Sequence, residues 1–484
     1  MDIKFLLNKA TKLHLRGKLD KAEIIYNKIV KIDENNIIAN SNLGSLFNVN
    51  KEYKKALNFL NKVLEIDPDF LDALNNKGIS LKGLGKYHEA IKIFEKILEL
   101  KPEHVDTLNN KANCLKSLDL LKEALEIYKK ILNIKPNFFE AEYNQGVCFY
   151  QLDKFDDAIK SYKKAIKLNS NFVDAHYNLG LLELKKGNYH DGWKIYEWRK
   201  KKRGRKTEFL LDEQSTKWNG QEKLENKTIL IAKEQGFGDY IQYCRYLPLI
   251  EKLGAKIILD TNKSLRPLID TMNVKYNHIN ELKEIKFDYH CYIASLPLAF
   301  ETTLKNIPNK TPYIFAPKNK KKHWQEKIYK NSTKKIGLKW SGNEKYIDDK
   351  NRSVDLNKLK PLFDLDYDYH SLDFELKEND QKILEKIPNL KFHGKDLLGL
   401  DNTAGLIDSL DMVISVDTGI AQLAASMGKT VWILLPHISD YRWLLNRDDS
   451  PWYPNVKLYR QTSKNDWENI IDIVKKDILI QNNN

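Results

Sequence analysis

The sequence predicts an all-α solenoid of helical repeats over residues 1–204 and an α/β region from residue 226 onward. Asparagine recurs with a period of 34 residues through the N-terminal part, and a fixed period of this length is typical of stacked helical repeats. After residue 226 short apolar strands alternate with helical segments, which favours parallel sheets covered by helices. The length of 484 residues exceeds that of one ordinary domain, and residues 205–225 are expected to be a linker.

Four residue series share the 34-residue period. The asparagine series, on the first helix of each repeat, is Asn8, Asn42, Asn76, Asn110, Asn144 and Asn178. The small-residue series, where two helices approach closely, is Ala22, Ala56, Ala90, Ala124, Ala158 and Gly192. The bulky series, expected to fill the space between units, is Tyr26, Leu60, Phe94, Tyr128, Tyr162 and Tyr196. The fourth, Pro68, Pro102 and Pro136, follows helix ends. This pattern resembles the tetratricopeptide repeat (TPR), which stacks into a solenoid.

The asparagine series is a candidate acceptor-binding surface. At this position of a TPR the side chain faces the inner surface, and each carboxamide offers a donor and an acceptor to an extended polypeptide. The series resembles the ladder with which TPR-bearing O-linked N-acetylglucosamine transferases grip acceptor proteins. Nearby acidic residues, Asp72, Asp106, Glu140 and Asp174, are expected to favour basic or polar ligands. The alternative, that asparagine stabilises the repeat itself, is equally compatible with the sequence.

The net charge and the cysteine content limit the classes of protein to which this chain can belong. The net charge is +14, but lysine is spread throughout the chain, so no nucleic-acid-binding module is expected. The basic run from Arg199 to Lys206 is expected to be a solvated cap or linker, with contact to a membrane surface or nucleic acid as the minor alternative. Trp193 and Trp198, on the last repeat helix, predict burial against the next domain. Four cysteines without a C-x-x-C pair and the absence of an apolar leader predict a cytoplasmic location.

Six segments of the C-terminal part are predicted strands: Thr228–Lys233, Ala255–Asp260, Lys335–Trp340, Asp368–Asp373, Met412–Val416 and Thr430–Leu435. Helices are predicted over Tyr240–Lys252 and Ile420–Met427. The strands fall into two blocks, which predicts two Rossmann-like halves, residues 226–325 and residues 326–484 with a closing helix, facing a cleft. In open α/β sheets a ligand binds beyond the C-terminal ends of the strands.

The first candidate site is the glycine-rich turn after the Thr228–Lys233 strand. Gly236 and Gly238 permit close approach of the backbone, and the start of a helix favours anions. Asp239 at this turn could take a proton from an acceptor hydroxyl. The alternative is that Asp239 only caps the following helix.

The second candidate site lies where the Met412–Val416 strand meets the next helix. Backbone N–H groups of Thr418 and Gly419, which follow Asp417 at a helix start, could bind a diphosphate. An N-terminal cap without a ligand is again the alternative.

A loop between these two sites, Trp340–Ser353, carries small and basic residues. Ser341 and Gly342 directly follow a predicted strand. Lys345, Lys350 and Arg352 could neutralise phosphate charge, which adds the loop to the predicted donor site.

The order of these motifs resembles glycosyltransferases of the GT-B fold, in particular the ADP-heptose:lipopolysaccharide heptosyltransferase family, over about residues 226–475. The resemblance implies that Asp239 is the catalytic base and that the Asp417–Gly419 turn contacts the nucleotide diphosphate. It also implies that Lys350 contacts phosphate. The family usually carries histidine where this chain has Gln422, so Gln422 takes that place in the predicted donor site.

The segment Pro436–Tyr453 is typical of TPR proteins with a heptosyltransferase-like C-terminus. Arg442, Trp443 and Trp452 lie near a predicted strand end and could line a sugar or acceptor pocket. The alternative is that the tryptophans cover the sheet.

Together these features predict a glycosyltransferase that moves a hexosyl or heptosyl group from a nucleotide-sugar donor to an acceptor hydroxyl. The TPR groove would hold a polypeptide or glycan acceptor. The resemblance implies no cofactor and no metal, because the helix dipole and basic side chains stabilise the leaving diphosphate. The alternative is a non-catalytic TPR scaffold with a degenerate transferase-like domain, which Gln422 keeps open.

Overall fold

The computed structural model describes residues 2–202, 216–234, 236–328, 333–344 and 349–482. The chain divides into two compact units, residues 1–178 and 179–484. Several predicted features lie outside the described residues: the end of the basic run (203–206), most of the 205–225 linker, Gln235 of the glycine-rich turn, and Lys345. The domain boundaries placed near residue 204 therefore stay predictions.

Twelve helices follow one another in the described part of residues 3–196. They are α1 (Ile3–Leu15), α2 (Leu19–Ile32), α3 (Ile37–Val49), α4 (Tyr53–Ile66), α5 (Leu71–Gly83), α6 (Tyr87–Leu100), α7 (Val105–Ser117), α8 (Leu121–Ile134), α9 (Phe139–Gln151), α10 (Phe155–Leu168), α11 (Val173–Lys185) and α12 (Tyr189–Tyr196). The first helix of a repeat spans 13 residues and the second 14, except α12, which ends after 8. The N-terminal region is thus the predicted all-helical TPR solenoid.

The periodic residues form the core of the repeats. The alanines of the small-residue series and the bulky series from Tyr26 to Tyr196 are all buried. Cys114 and Cys148, which are also 34 residues apart, are fully buried, and burial raises the pKa of each thiol to about 11. A methyl group on Gly78 would lie 2.3 Å from the ring of Phe94. The small residue is therefore required for α5 to pack on α6.

The C-terminal unit contains two parallel sheets in its described residues. The first has the order β3-β2-β1-β4, with β1 (Thr228–Ala232), β2 (Lys256–Leu259), β3 (Tyr276–His278) and β4 (Tyr289–Tyr292). The second has the order β10-β9-β8-β5-β6-β7, with β5 (Lys335–Lys339), β6 (Asp368–Ser371), β7 (Leu390–Lys391), β8 (Met412–Val416), β9 (Thr430–Leu435) and β10 (Val456–Arg460).

Helices alternate with these strands. Those of the first sheet are α13 (Phe237–Tyr243), α14 (Leu247–Lys252), α15 (Arg266–Ile269) and α16 (Leu296–Ala299). They are followed by α17 (Lys318–Ile328), α18 (Asp349–Arg352), α19 (Lys360–Phe363), α20 (Glu378–Leu384), α21 (Leu400–Asp408), α22 (Gly419–Ser426) and α23 (Trp467–Asn482). Among the described residues no helix is long and apolar enough to cross a membrane.

All six predicted strands are present, four of them shortened at one or both ends, and β3, β4, β7 and β10 were not predicted. The single helix predicted over Tyr240–Lys252 is wrong. Helix α13 begins at Phe237, and a 3-10 turn over Cys244–Tyr246 separates it from α14. Pro248 near the start of α14 lacks the N–H that a continuous helix would need there.

Helix α12 belongs to the C-terminal unit. Trp193 is 2% exposed, and its ring lies edge-on to Tyr243, Tyr441 and Trp452 at centroid distances of 6.2–6.3 Å. Its indole N–H donates to the carbonyl of Thr302 over 3.1 Å. The predicted burial of Trp193 is confirmed.

Candidate functional site

The turn after β1 starts helix α13 and positions Asp239. The N–H of Gly236, the residue before the helix, donates to Oδ2 of Asp239 over 3.3 Å. Oδ1 of the same carboxylate accepts a hydrogen bond from Nη2 of Arg442 at 2.7 Å. Asp239 therefore does cap its helix, and a cation holds it as well. Its side chain keeps 19% of its surface exposed, which leaves room for contact with a ligand.

The turn after β8 is built around Thr418. Its hydroxyl accepts the N–H of Ala421 over 3.5 Å, which caps helix α22, and lies 3.3 Å from the hydroxyl of Ser415. Desolvation raises the pKa of the neighbouring Asp417 to about 6, against the opposing charge of Arg442. The pKa of the Asp417 carboxyl therefore lies well above that of an ordinary aspartate.

These two turns come from different sheets and meet at their glycines. A methyl group on Gly238 would lie 3.0 Å from Cα of Gly419 and 3.3 Å from Nε2 of Gln422. A methyl group on Gly419 would lie 2.2 Å from the ring of Phe237. The starts of α13 and α22 can approach this closely because both positions lack a side chain. The structure thus brings the two predicted turns together.

The loop after β5 joins the turn after β8. Nη1 of Arg352 donates to the carbonyl of Asp417 over 2.9 Å, and its Nε donates to Asp349 over 3.1 Å. The N–H of Gly342 donates to the hydroxyl of Ser353 over 2.9 Å. Ser341 is buried. Four of the predicted donor-site residues, Ser341, Gly342, Arg352 and Asp417, are therefore neighbours.

Lys350 lies on the short helix α18 beside Arg352 and is exposed. Arg352, in contrast, donates from Nη1 to a carbonyl of the turn after β8. Arg352 is a basic side chain that the structure brings to that turn, and the predicted phosphate contact of Lys350 stays a prediction.

Arg442 is the cation shared by the site's carboxylates. It is 7% exposed; its Nε donates to Asp440 over 2.8 Å, and its Nη2 donates to Asp239 over 2.7 Å. The charge of Asp417 also acts on it. A buried guanidinium among three carboxylates fixes the turn after β1 to the segment after β9. No group of three or more metal-ligating side chains was found in the described chain.

The two tryptophans near this arginine have no exposed surface. Trp443 and Trp452 are both 0% exposed, and the indole N–H of Trp452 donates to the hydroxyl of Tyr189 over 2.9 Å. This burial favours the alternative in which the tryptophans cover the sheet. A pocket role for Trp443 stays a prediction.

Gln422 lies inside α22, facing Gly238. It is 2% exposed, and its Oε1 has no hydrogen-bond partner among the described residues. An unpaired buried carboxamide costs about 1–3 kcal/mol, so this oxygen is a polar group poised for a further donor. On α13, Gln242 is fully buried and both of its amide atoms are likewise unpaired in the described residues.

The asparagine series lies on the first helices of the repeats, and part of it bonds to the preceding repeat. Oδ1 of Asn110 accepts from Nζ of Lys82 at 2.7 Å. Oδ1 of Asn144 accepts from Nζ of Lys116 at 2.6 Å. These bonds show that asparagine here does support repeat stacking, as the alternative proposed.

The other four members of the series differ in environment. Asn8 is exposed, and Asn42 and Asn76 are half-buried. Nδ2 of Asn178 donates to the hydroxyl of Tyr143 over 3.1 Å. Contact of the series with an acceptor stays a prediction.

One buried ion network was not predicted. Nε and Nη2 of Arg199 donate to the two carboxylate oxygens of Glu234, each over 2.7 Å, and Nη1 donates to Glu197 over 2.6 Å. Arg199 is 0% exposed, so its expected place in a solvated cap is wrong. Two glutamates neutralise its charge, and Glu234 lies in the glycine-rich turn after β1.

A second unpredicted pair lies at the ends of β5 and β6. Nζ of Lys339 donates to Oδ1 of Asp373, whose Oδ2 is unpaired among the described residues. Burial raises the pKa of Asp373, against the effect of Lys339. The indole N–H of Trp340 donates to Asp380 over 3.0 Å. The sequence feature that could have indicated Lys339 and Asp373 is their position at the ends of predicted strands, where ligands of open α/β sheets bind.

Comparison with known families identifies the repeats. Profiles described as TPR repeat or tetratricopeptide repeat match residues 39–70, 69–137 and 146–187. The matched residues run from α3 to the turn between α11 and α12, so the N-terminal part of the chain carries tetratricopeptide repeats.

The chain is also similar to the protein FlbA of Caulobacter vibrioides. The two are 22% identical over 280 residues, which is 52% of this chain and 46% of FlbA. The chain thus matches about half the length of this curated relative.

Several solved structures resemble part of the chain. YrrB, a TPR protein with an unusual peptide-binding site, is 23% identical with a TM-score of 0.31, covering 37% of this chain and 91% of its own. The pilF protein of Pseudomonas aeruginosa is 19% identical with a TM-score of 0.35, covering 40% and 87%. A tetratricopeptide repeat protein of Parabacteroides merdae is 22% identical with a TM-score of 0.37, covering 41% and 78%.

Proposed function

We propose that the C-terminal unit is a glycosyltransferase of the GT-B type, which moves a sugar from a nucleotide-diphosphate donor to an acceptor hydroxyl. The TPR region is a protein-interaction region, and in this proposal it binds the acceptor. The observation that carries the proposal is the meeting of the turn after β1 with the turn after β8 at Gly238 and Gly419. Ligands of open α/β sheets bind at such strand ends.

The donor diphosphate is assigned to the turn after β8. Helix α22 begins there, and its N-terminal dipole favours anions. Arg352 supports this assignment because its guanidinium lies against the backbone of Asp417. An arginine offers paired donors that match phosphate oxygens. Gln422 has its Nε2 beside Gly238, and its Oε1 is unpaired among the described residues, so it supplies a further polar group beside the donor.

Asp239 is assigned the proton-accepting role. As the acceptor oxygen forms its bond to the anomeric carbon, its proton passes to the Asp239 carboxylate and the bond to the diphosphate breaks. The departing diphosphate takes the electron pair, and the start of α22 with Arg352 stabilises its charge. Arg442 holds the Asp239 carboxylate in place, so this arginine is a positioning residue.

Ligand-induced thermal stabilisation tests the donor site. The 484-residue protein is heated with a panel of nucleoside diphosphates and nucleotide-sugars while its tryptophan emission is followed. A ligand present at about 100 times its dissociation constant adds about 2.7 kcal/mol to the free energy of unfolding. We expect one nucleotide to raise the midpoint of the parent protein and to have a much smaller effect on Arg352→Gln.

The control variant is Lys386→Gln, which removes one positive charge from an exposed position and should respond like the parent. An equal loss in both variants would mean that net charge, not the assigned turn, binds the nucleotide.

The second candidate function is a non-catalytic scaffold. It is favoured by one observation: both oxygens of Asp239 already have partners, Arg442 and the N–H of Gly236. If no nucleotide or nucleotide-sugar raises the midpoint, the transferase proposal fails and the scaffold becomes the better account.

A further inference from the structure

One polar connection recurs between the first helices of successive repeats. In each case a side chain near the end of one first helix bonds to the asparagine 28 residues later. Nδ2 of Asn48 donates to the carbonyl of Asn76 over 2.9 Å. In the next two repeats the donor is a lysine. Lys82 donates to the carboxamide of Asn110 over 2.7 Å, and Lys116 donates to the carboxamide of Asn144 over 2.6 Å.

These two lysines lack the carboxylate partners that other lysines of the repeats have. Lys62 pairs with Glu34 at 2.7 Å and Lys96 with Asp69 at 2.8 Å. Within the described chain no carboxylate lies within ion-pair distance of Lys82 or Lys116, and each bonds to a neutral carboxamide instead. Two half-buried ammonium groups therefore keep an unneutralised charge.

The two charges also act on each other. Burial lowers the pKa of Lys82 and also that of Lys116, which is the more extensively buried of the two. The charge of Lys82 lowers the pKa of Lys116 further. Like charges that perturb each other across neighbouring helices form one positive patch, which an anion would relieve.

The acidic residues of these helices lie at their opposite ends. Asp72 and Asp106 are exposed and stand ten positions before Lys82 and Lys116 in the sequence, about 15 Å along a helix axis. The first-helix face thus has an acidic edge and a basic patch. The groove was predicted from its acidic residues to favour basic or polar ligands, and that prediction did not include this basic patch.

We propose that an extended polypeptide segment with acidic side chains binds across α5, α7 and α9, and that Lys82 and Lys116 receive its carboxylates. The carboxamides of Asn110 and Asn144, which hold the two ammonium groups, direct them to this face. This inference rests on the proposed function in one respect: it specifies that the partner bound by the TPR region is acidic. The binding itself does not depend on sugar transfer.

Helix geometry gives the spacing of the acidic residues. Neighbouring packed helices lie about 8–10 Å apart, and an extended chain advances about 3.3 Å per residue. Carboxylates about three residues apart in the ligand therefore match lysines on successive first helices.

Fluorescence anisotropy with the full-length protein tests this. The probe is a labelled, unstructured peptide of about 15 residues with glutamate at every third position; a second peptide carries glutamine at the same places. We expect the acidic peptide to bind more tightly, and affinity to fall at least about tenfold in Lys82→Gln/Lys116→Gln. The control, Lys92→Gln/Lys122→Gln, removes the same charge from exposed positions on the second helices α6 and α8 and should bind like the parent.

Four results would overturn the proposal: no binding of the acidic peptide, equal binding of the glutamine peptide, an equal loss in the control variant, or equal binding of a single-stranded oligonucleotide of the same charge. The variant Lys82→Arg/Lys116→Arg keeps the charges and should retain binding, which separates charge recognition from loss of folding. Because the assay contains no nucleotide-sugar, its outcome is independent of the transferase proposal.

Discussion

Replacing Asp417 by asparagine should stabilise the C-terminal unit at neutral pH. Desolvation raises the pKa of this carboxyl from its ordinary value of 3.8 to about 6. Between these two values the native state keeps a proton that the unfolded chain has released. The free energy of unfolding of the parent therefore falls as pH rises from about 4 to about 6, and this effect is constant above that range.

The magnitude follows from the same pKa difference. At 1.36 kcal/mol for each tenfold change in acidity, ionising Asp417 costs the native state about 3 kcal/mol above pH 7. Asparagine resembles the protonated acid and carries no such cost. The variant should be close to the parent near pH 4 and about 2–3 kcal/mol more stable at pH 7.5.

Tryptophan emission isolates the relevant unit. All nine tryptophans lie between residues 193 and 467, within the C-terminal unit. Urea unfolding followed by tryptophan emission at pH 4, 5.5 and 7.5 therefore reports on this unit, since the unit of residues 1–178 contains no tryptophan. Other titrating groups are shared by parent and variant, so they cancel in the difference.

The control is Asp366→Asn, at an exposed position, where the difference from the parent should be small at every pH. An Asp417→Asn variant that is no more stable than the parent at pH 7.5, or whose advantage is the same at pH 4, would refute this prediction.

Three further substitutions test packing. Arg199→Met removes the cation that pairs with both carboxylate oxygens of Glu234, whereas Glu197 keeps Lys200 and Lys217; the variant should lose about 3–5 kcal/mol in urea unfolding followed by tryptophan emission, and an unchanged midpoint would contradict the ion network. Gly419→Ala places a methyl group against the ring of Phe237 and should cost about 1–3 kcal/mol in the same assay, whereas a neutral effect would mean that the two turns do not meet. Gly78→Ala should lower the melting temperature measured by far-UV circular dichroism, although alanine favours a helix by about 1 kcal/mol; Phe94→Leu in the same chain should recover part of the loss, and stabilisation by Gly78→Ala alone would disprove the contact.

The repeat region was predictable because its signals are local and repeat. Each helix and each buried residue of the small and bulky series follows from one period. A further series has the same period and consists of Asn48, Lys82 and Lys116. Its role in linking repeats was not predicted. Each of these residues is a polar side chain typical of a solvent-exposed surface. Its partner could not be inferred locally because that partner is 28 residues away.

The C-terminal unit was predictable only in part. Apolar strands such as Thr430–Leu435 follow from composition, whereas β4, whose sequence is Tyr-His-Cys-Tyr, mixes polar and apolar residues and gives no such signal. At the candidate site the glycine turns were identified, but Asp239 and Arg442 are separated by 203 positions. No local pattern indicates a pair at that separation.

The same limit explains the error at Arg199. A run of basic residues indicates a solvated surface when it is considered alone. The glutamate that pairs with this arginine, Glu234, comes 35 residues later.

Sugar transfer itself is the most direct measurement. The nucleotide-sugar that stabilises the protein is incubated with it and with an acidic acceptor peptide containing serine and threonine, and released nucleoside diphosphate and labelled peptide are quantified. We predict that the parent produces both, and that Asp239→Asn binds the donor equally well but releases almost no diphosphate. Equal turnover by Asp239→Asn, or donor binding by the parent with no transfer to any acceptor, would contradict the proposed reaction.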